Sequence, residues 1–211
     1  MKLDHQLMQS IHEALSDKYV EVPAMLDVKL AQDIEEKAKS IYSRYNEDKR
    51  SYEEVYVDVL IGELGEHAIV QLIQQANIDA VHNEEQTTGQ YYWDILVANE
   101  AGCLFGEIKF QGGGFAEEPK TTFAFTTKKK DQLMRDSWMK LDFIIAFYLK
   151  QQGNKLFVVP WLILDNEAIS PLRGLYQVSL YNEGYYLQMH KAQVAGLFKH
   201  LNKDANLFTF A

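Results

Sequence analysis

Two apolar runs separated by a polar link, residues 91–111, constrain this chain more than any other stretch. Residues 91–98 are the first run and 103–111 the second, with Asn99, Glu100, Ala101 and Gly102 between them as a link of hairpin length. The pattern predicts two antiparallel strands. Strand neighbours alternate faces, so Glu107, Lys109 and Gln111 share one face while Ile108 and Phe110 point into a core. Asp94 lies inside the first strand. Charged side chains on strands this apolar are costly unless they are paired or hold a metal.

Such an arrangement suits phosphodiester cleavage. Carboxylates from adjacent strands can hold Mg²⁺, a hard cation that takes oxygen ligands. The metal lowers the pKa of a bound water and polarises a phosphate. Lys109, one pleat from Glu107, is placed to orient that water or to offset charge in the transition state. The competing reading is a surface hairpin with an ordinary Glu/Lys pair.

Around the hairpin, apolar spacing alternates between helical and strand periods. Leu3, Leu7, Met8, Ile11 and Leu15 recur at helical spacing, and Val22-Pro23 breaks the segment. Asp27 or Val28 starts a second helix to about residue 45, with Leu30, Ile34, Ala38 and Ile41 on one face, and Asn46, Glu47 and Asp48 follow as a loop. A third helix spans residues 52–76. Gly62 and Gly65 inside it each cost about 1 kcal/mol, which points to close packing or ligand approach. Glu63 and Glu66, one turn apart, share a face. His67 has no second His or Cys at ligand spacing, so it reads as a packed or exposed side chain.

Residues 78–82 predict a short strand, followed by a polar turn at 83–90 and then the hairpin. Gly112-Gly113-Gly114 is either a plain connection or a place where backbone approaches substrate. Thr126 or Thr127 caps a fourth helix reaching about residue 140. Lys128, Lys129 and Lys130 open that helix, against the preference of a helix N-terminus for negative charge. Either an anion such as a phosphate compensates or the lysines are solvated. Residues 143–149 and 156–164 read as two buried strands. A hairpin over 176–180 and 185–189 and a helix over 191–203 complete the chain.

Asp94, twelve intervening residues and Glu107-Ile108-Lys109 form a pattern that resembles the PD-(D/E)XK nuclease superfamily, which has the restriction-endonuclease-like fold. Trp93 stands where the superfamily's name has proline. The resemblance covers residues 52–164 and includes the element order. It implies an α/β fold with an αβββαβ core, a mixed central sheet flanked by helices, N-terminal helices, and a C-terminal hairpin plus helix. It further implies that Asp94 and Glu107 are metal carboxylates, that the Ile108 carbonyl joins the metal shell, and that Lys109 is the catalytic lysine. Many members carry a glutamate on the helix before the sheet; Glu66, in Gly62-x-x-Gly65-Glu66, matches best and Glu63 is the reserve. Gln111 faces the same way as Lys109 and is a further site candidate. The cofactor implied is Mg²⁺, with Mn²⁺ as a substitute.

The expected organisation is one nuclease domain over 1–211: a helical extension at 1–50, the core at 52–164 and a C-terminal hairpin and helix at 165–211. For residues 1–50, packing is the default role, with dimerisation (a homodimer) and DNA contact open. The formal charge of −9 argues against a general nucleic-acid coat. Residues 108–155, however, hold nine Lys/Arg against five Asp/Glu, a local +4 that leaves −13 elsewhere. That local surface suits DNA backbone, with Lys128, Lys129 and Lys130 as the phosphate contacts. A single cysteine, Cys103, excludes intramolecular disulfides and cysteine-rich zinc sites. With no apolar h-region at residues 1–10 and no apolar run of spanning length, a soluble cytoplasmic protein without membrane contact is expected. The function these features favour is a Mg²⁺-dependent endodeoxyribonuclease, with restriction-type cleavage of duplex DNA as one form left open. The alternatives are an inactive nucleic-acid-binding or interaction module on the same fold, an RNA-cleaving nuclease, and a DNA-repair or recombination nuclease.

Overall fold

The structure, a computed structural model, describes residues 2–22, 26–44, 50–83, 93–100, 102–110, 123–126, 141–165, 177–178, 185–189 and 199–200. Three helices open the chain: α1 (Lys2–Leu15), α2 (Val28–Arg44) and α3 (Tyr52–Gln75). Their starts follow from local chemistry. Asp27 Oδ1 accepts the Leu30 amide at 2.8 Å and caps α2. Ser51 and Glu54 form a reciprocal capping box at the start of α3, satisfying two amides that the helix itself leaves unbonded. Asn77, in a left-handed conformation at φ 60°, helps turn the chain out of α3.

Leu7, Ile11 and Leu15 of α1 and Leu30, Ile34 and Ala38 of α2 are buried in the same core as Leu64, Ala68, Ile69, Leu72 and Ile73 of α3. The first half of α3 buries a narrow face. Its second half is buried nearly all round, because α1, α2 and the sheet each cover a side.

The main sheet is mixed. Its strands are β1 (Val20–Glu21), β2 (Asp79–His82), β3 (Ile95–Asn99), β4 (Gly102–Phe110), β6 (Phe143–Gln152) and β7 (Lys155–Asp165), in the order β1-β7-β6-β4-β3-β2. A short β10 (Lys199–His200) pairs with β7 as well. Strands β2, β3 and β4 form an antiparallel meander, and β6 and β7 an antiparallel hairpin turned at Gly153, whose φ of 58° suits glycine. The pairing of β4 with β6 is parallel, with Gly106 opposite Phe143, so the chain must cross over between them through residues 111–142. Asp142 locks the start of this pair: its amide donates to the Phe105 carbonyl at 2.7 Å, and its Oδ2 accepts the Phe105 amide at 2.9 Å. Phe143 through Leu149 are all buried, the unbroken apolar run of a strand covered on both faces. A second sheet joins β5 (Phe123–Thr126), β9 (Tyr185–Met189) and β8 (Gln177–Val178) in the order β5-β9-β8.

The architecture is α/β with a mixed sheet, as expected. Three local expectations change. Asp94 stands immediately before β3 rather than inside it, though its amide still bonds the Gly106 carbonyl at 2.9 Å. Phe123–Thr126 forms a strand that local sequence does not predict, because it finds a pairing edge on β9. Lys199 and His200, expected within a helix, pair with Ile163 and Leu162, since β1 covers β7 only at Phe157 and Val158 and leaves that edge open. The remainder of the fourth helix lies outside the described residues. No helix among the described residues is long and apolar enough to cross a membrane.

Candidate active site

The β3–β4 register puts Ile95 opposite Gly106, and so Asp94 opposite Glu107. Asp94 is fixed from both sides. Its carbonyl accepts the Asn83 amide at 2.9 Å, while Asn83 Nδ2 donates to the Trp93 carbonyl at 2.8 Å. Its buried carboxylate crosses to β4, where Oδ2 accepts the Ile108 amide at 2.8 Å. On the same strand Lys109 ion-pairs with Glu107, two residues earlier and on the same face.

Helix α3 brings two more acids to this end of the sheet. Gly65 lets it approach: a Cβ there would lie 2.0 Å from Phe147 Cζ, so any side chain would collide with the ring on β6. Glu63 and Glu66, on either side of Gly65, are both buried. Glu63 Oε1 pairs with Lys37 of α2. Glu66 Oε2 is hydrogen-bonded to His82 Nε2 of β2 at 2.5 Å. A cleft of about 270 Å³ lies between α2 and α3, with Lys37 and Arg50 at its sides and Glu63 and Glu66 among its lining.

These groups share one electrostatic neighbourhood. Burial, then Glu63, push the Glu66 carboxyl up to about 8, against the pull of Lys37. Burial, then Glu107 and Glu66, hold Asp94 well above the carboxylate range, against Lys109 and the Ile108 amide. Burial alone would make Lys109 easier to deprotonate, but Glu107 and Asp94 outweigh it and hold its ammonium firmly protonated. Lys37 is likewise raised: Glu66 and Glu63 overcome its burial.

Of the residues singled out in the sequence, Asp94, Glu107, Lys109 and Glu66 therefore act on one another, and Glu63 couples to Glu66. Ile108 contributes an amide to Asp94 and a side chain to the core. Gln111, Lys128, Lys129 and Lys130 lie outside the described residues. Two members of the neighbourhood carry no local signal in the sequence. Lys37 sits on a helix well before the nuclease-like segment, and His82 ends a four-residue strand. His67 does meet a second histidine: its ring centroid is 4.7 Å from that of His82. The fifteen-residue separation is closed by the α3–β2 turn, so His67 packs on a histidine that spacing along the chain does not reveal.

No protein-family model matches this chain, and neither a curated protein nor a solved structure matches it.

Proposed function

We propose that this chain is a Mg²⁺-dependent endodeoxyribonuclease built on a restriction-endonuclease-like core. The observation that carries the reading is the buried carboxylate set. Three buried acids, Glu66, Asp94 and Glu107, lie close enough beside a protonated lysine that Glu66 and Asp94 hold their protons more tightly than free carboxyls do. Burying such a set is costly without a counter-charge, and one divalent cation supplies it. The donors are oxygens, which suits a hard ion. The order of α3, the antiparallel strands β2, β3 and β4, and then β6 parallel to β4 supports the finer fold reading.

Asp94, Glu107 and Glu66 would hold the ion, with the Ile108 carbonyl as a further ligand. When bound, Mg²⁺ supplies a water of lowered pKa and positive charge for the phosphate. In the metal-free site the acids around Lys109 favour its ammonium form. Its role is a positioned cation for the scissile phosphate, and Glu107 holds it on the face of the site. Asn83 and the Ile108 amide keep the Asp94 carboxylate aimed across the two strands.

The test is incubation of the purified chain with plasmid, linear duplex, single-stranded and branched DNA, and RNA, with Mg²⁺, Mn²⁺ or EDTA. Metal-dependent DNA cleavage is expected, falling by about 10²–10³-fold in Lys109→Ala with DNA affinity nearly unchanged. Absence of cleavage on every substrate, or full activity in both Asp94→Asn and Glu107→Gln, overturns the reading.

A further inference from the structure

Beside the oxygen-rich site lies a second group of different composition. Glu63 and His67, four residues apart on α3, face His82 on β2, and one ligand atom from each lies within 4.8 Å of the others. His67 Nε2 is 3.7 Å from Glu63 Oε2. The other oxygen of Glu63 is engaged by Lys37, so the carboxylate is held with Oε2 toward the imidazoles. The His82 ring is fixed in turn by Glu66 at 2.5 Å. A carboxylate behind a histidine is the usual outer support of a metal-binding imidazole. The supports are rigid, since a helix and a strand joined by a short turn carry all three side chains.

We propose that Glu63, His67 and His82 form a binding site for a divalent transition ion such as Zn²⁺, Co²⁺ or Mn²⁺, separate from the Asp94/Glu107 centre. Two imidazole nitrogens and one carboxylate oxygen are a borderline-soft donor set that favours these ions over Mg²⁺. Ligand atoms about 2.05 Å from a tetrahedral ion stand roughly 3.3 Å apart. The Glu63–His67 spacing of 3.7 Å is close to that, and all three ligand atoms lie within 4.8 Å of one another. The ion would pin α3 to β2 and fix the ring that orients Glu66.

The site is tested on the full chain without Mg²⁺ by titrating Co²⁺ and following its visible d–d absorption, together with the melting temperature in Zn²⁺. One equivalent of Co²⁺ with nitrogen-ligand bands is expected, and Zn²⁺ should raise the melting temperature. His67 is about a third exposed, so His67→Ala should keep the fold, which circular dichroism checks. That variant should bind Co²⁺ at least about tenfold more weakly and lose the Zn²⁺ shift, while Asp94→Asn keeps both. No Co²⁺ binding, binding unchanged in His67→Ala, or loss in both variants overturns the proposal. None of these readouts depends on nuclease activity.

Discussion

Glu66 is held between acids and lysines, and its protonation governs the metal-free site. Burial, then Glu63, raise its pKa from the ordinary 4.5 to about 8. A carboxyl whose pKa is raised by folding binds its proton more tightly in the folded chain, so low pH favours the folded state. That stabilisation is complete below about 4.5 and is lost as pH rises toward about 8. Over this window the metal-free chain is expected to lose up to about 1.4 kcal/mol of stability per pH unit, and Glu66→Gln to flatten the slope. Urea melts in EDTA at stepped pH measure both; an unaltered slope in Glu66→Gln would assign the titration to another group. At Asp94 the choice of replacement decides the sign. Asparagine removes the charge that Glu107 and Glu66 repel yet keeps an oxygen for the Ile108 amide. Alanine also strips that acceptor, leaving a buried donor at about 1–3 kcal/mol. In EDTA, thermal melts should place Asp94→Asn above the unmodified chain and Asp94→Ala below Asp94→Asn.

Within α3, Gly62 and Gly65 read alike in the sequence, and the packing separates them. At Gly62 an added Cβ meets only Glu66 Oε1 at 3.9 Å, ordinary contact distance. Gly62→Ala should therefore gain the helix preference for alanine, about 1 kcal/mol. At Gly65 the same Cβ would stand 2.0–2.6 Å from three atoms of the Phe147 ring. Gly65→Ala is expected to cost about 1–3 kcal/mol, as overpacking does, and to lift α3 with its glutamates off the sheet. The double variant Gly65→Ala/Phe147→Leu should recover part of the loss. Equal and favourable shifts for both alanines, by chemical denaturation, would mean that α3 does not press on β6. At this scale, sequence spacing told that the glycines required an explanation; the ring supplying it is eighty-two residues further along the chain.

For the whole molecule, the described helices and strand before residue 50 are part of the core. Leu7, Ile11, Leu15, Val20, Val22, Leu30 and Ile34 are buried with the rest, and β1 pairs with β7. Seven such side chains contribute about 10–20 kcal/mol together, against a net stability of about 5–15 kcal/mol for an ordinary domain. A chain starting at residue 50 should show no cooperative unfolding transition and should lose Lys37 from the site; a cooperative melt of that fragment would refute the estimate. The charge distribution makes a second whole-molecule prediction. On the proposed nuclease reading, DNA affinity on a body of net charge −9 comes from local basic groups. Replacing Lys128, Lys129 and Lys130 together with Gln should weaken binding at every DNA sequence and flatten its salt dependence by up to about 0.9 log unit per lost contact. An unchanged salt slope in binding titrations would move the DNA path off these lysines.

The three helices are legible in the sequence because what starts and ends them is local: Asp27, the Ser51/Glu54 box and the apolar faces of α1 and α2 act within a few residues. The β3–β4 hairpin is legible for the same reason, since a short link sets its register and alternation then puts Glu107 and Lys109 on one face opposite Asp94. The strands at Thr126 and at Lys199–His200 are not legible. Each is stabilised by an edge, on β9 or β7, that local sequence does not contain. Nor is the meeting of His67 with His82, or of Lys37 with Glu63. Backbone conformation is chosen by neighbours along the chain. Which side chains share a site is chosen by how faces pack, and here the close seating of α3 on β6 and β2, with α2 laid against it, decided that six charged groups would neutralise or repel one another.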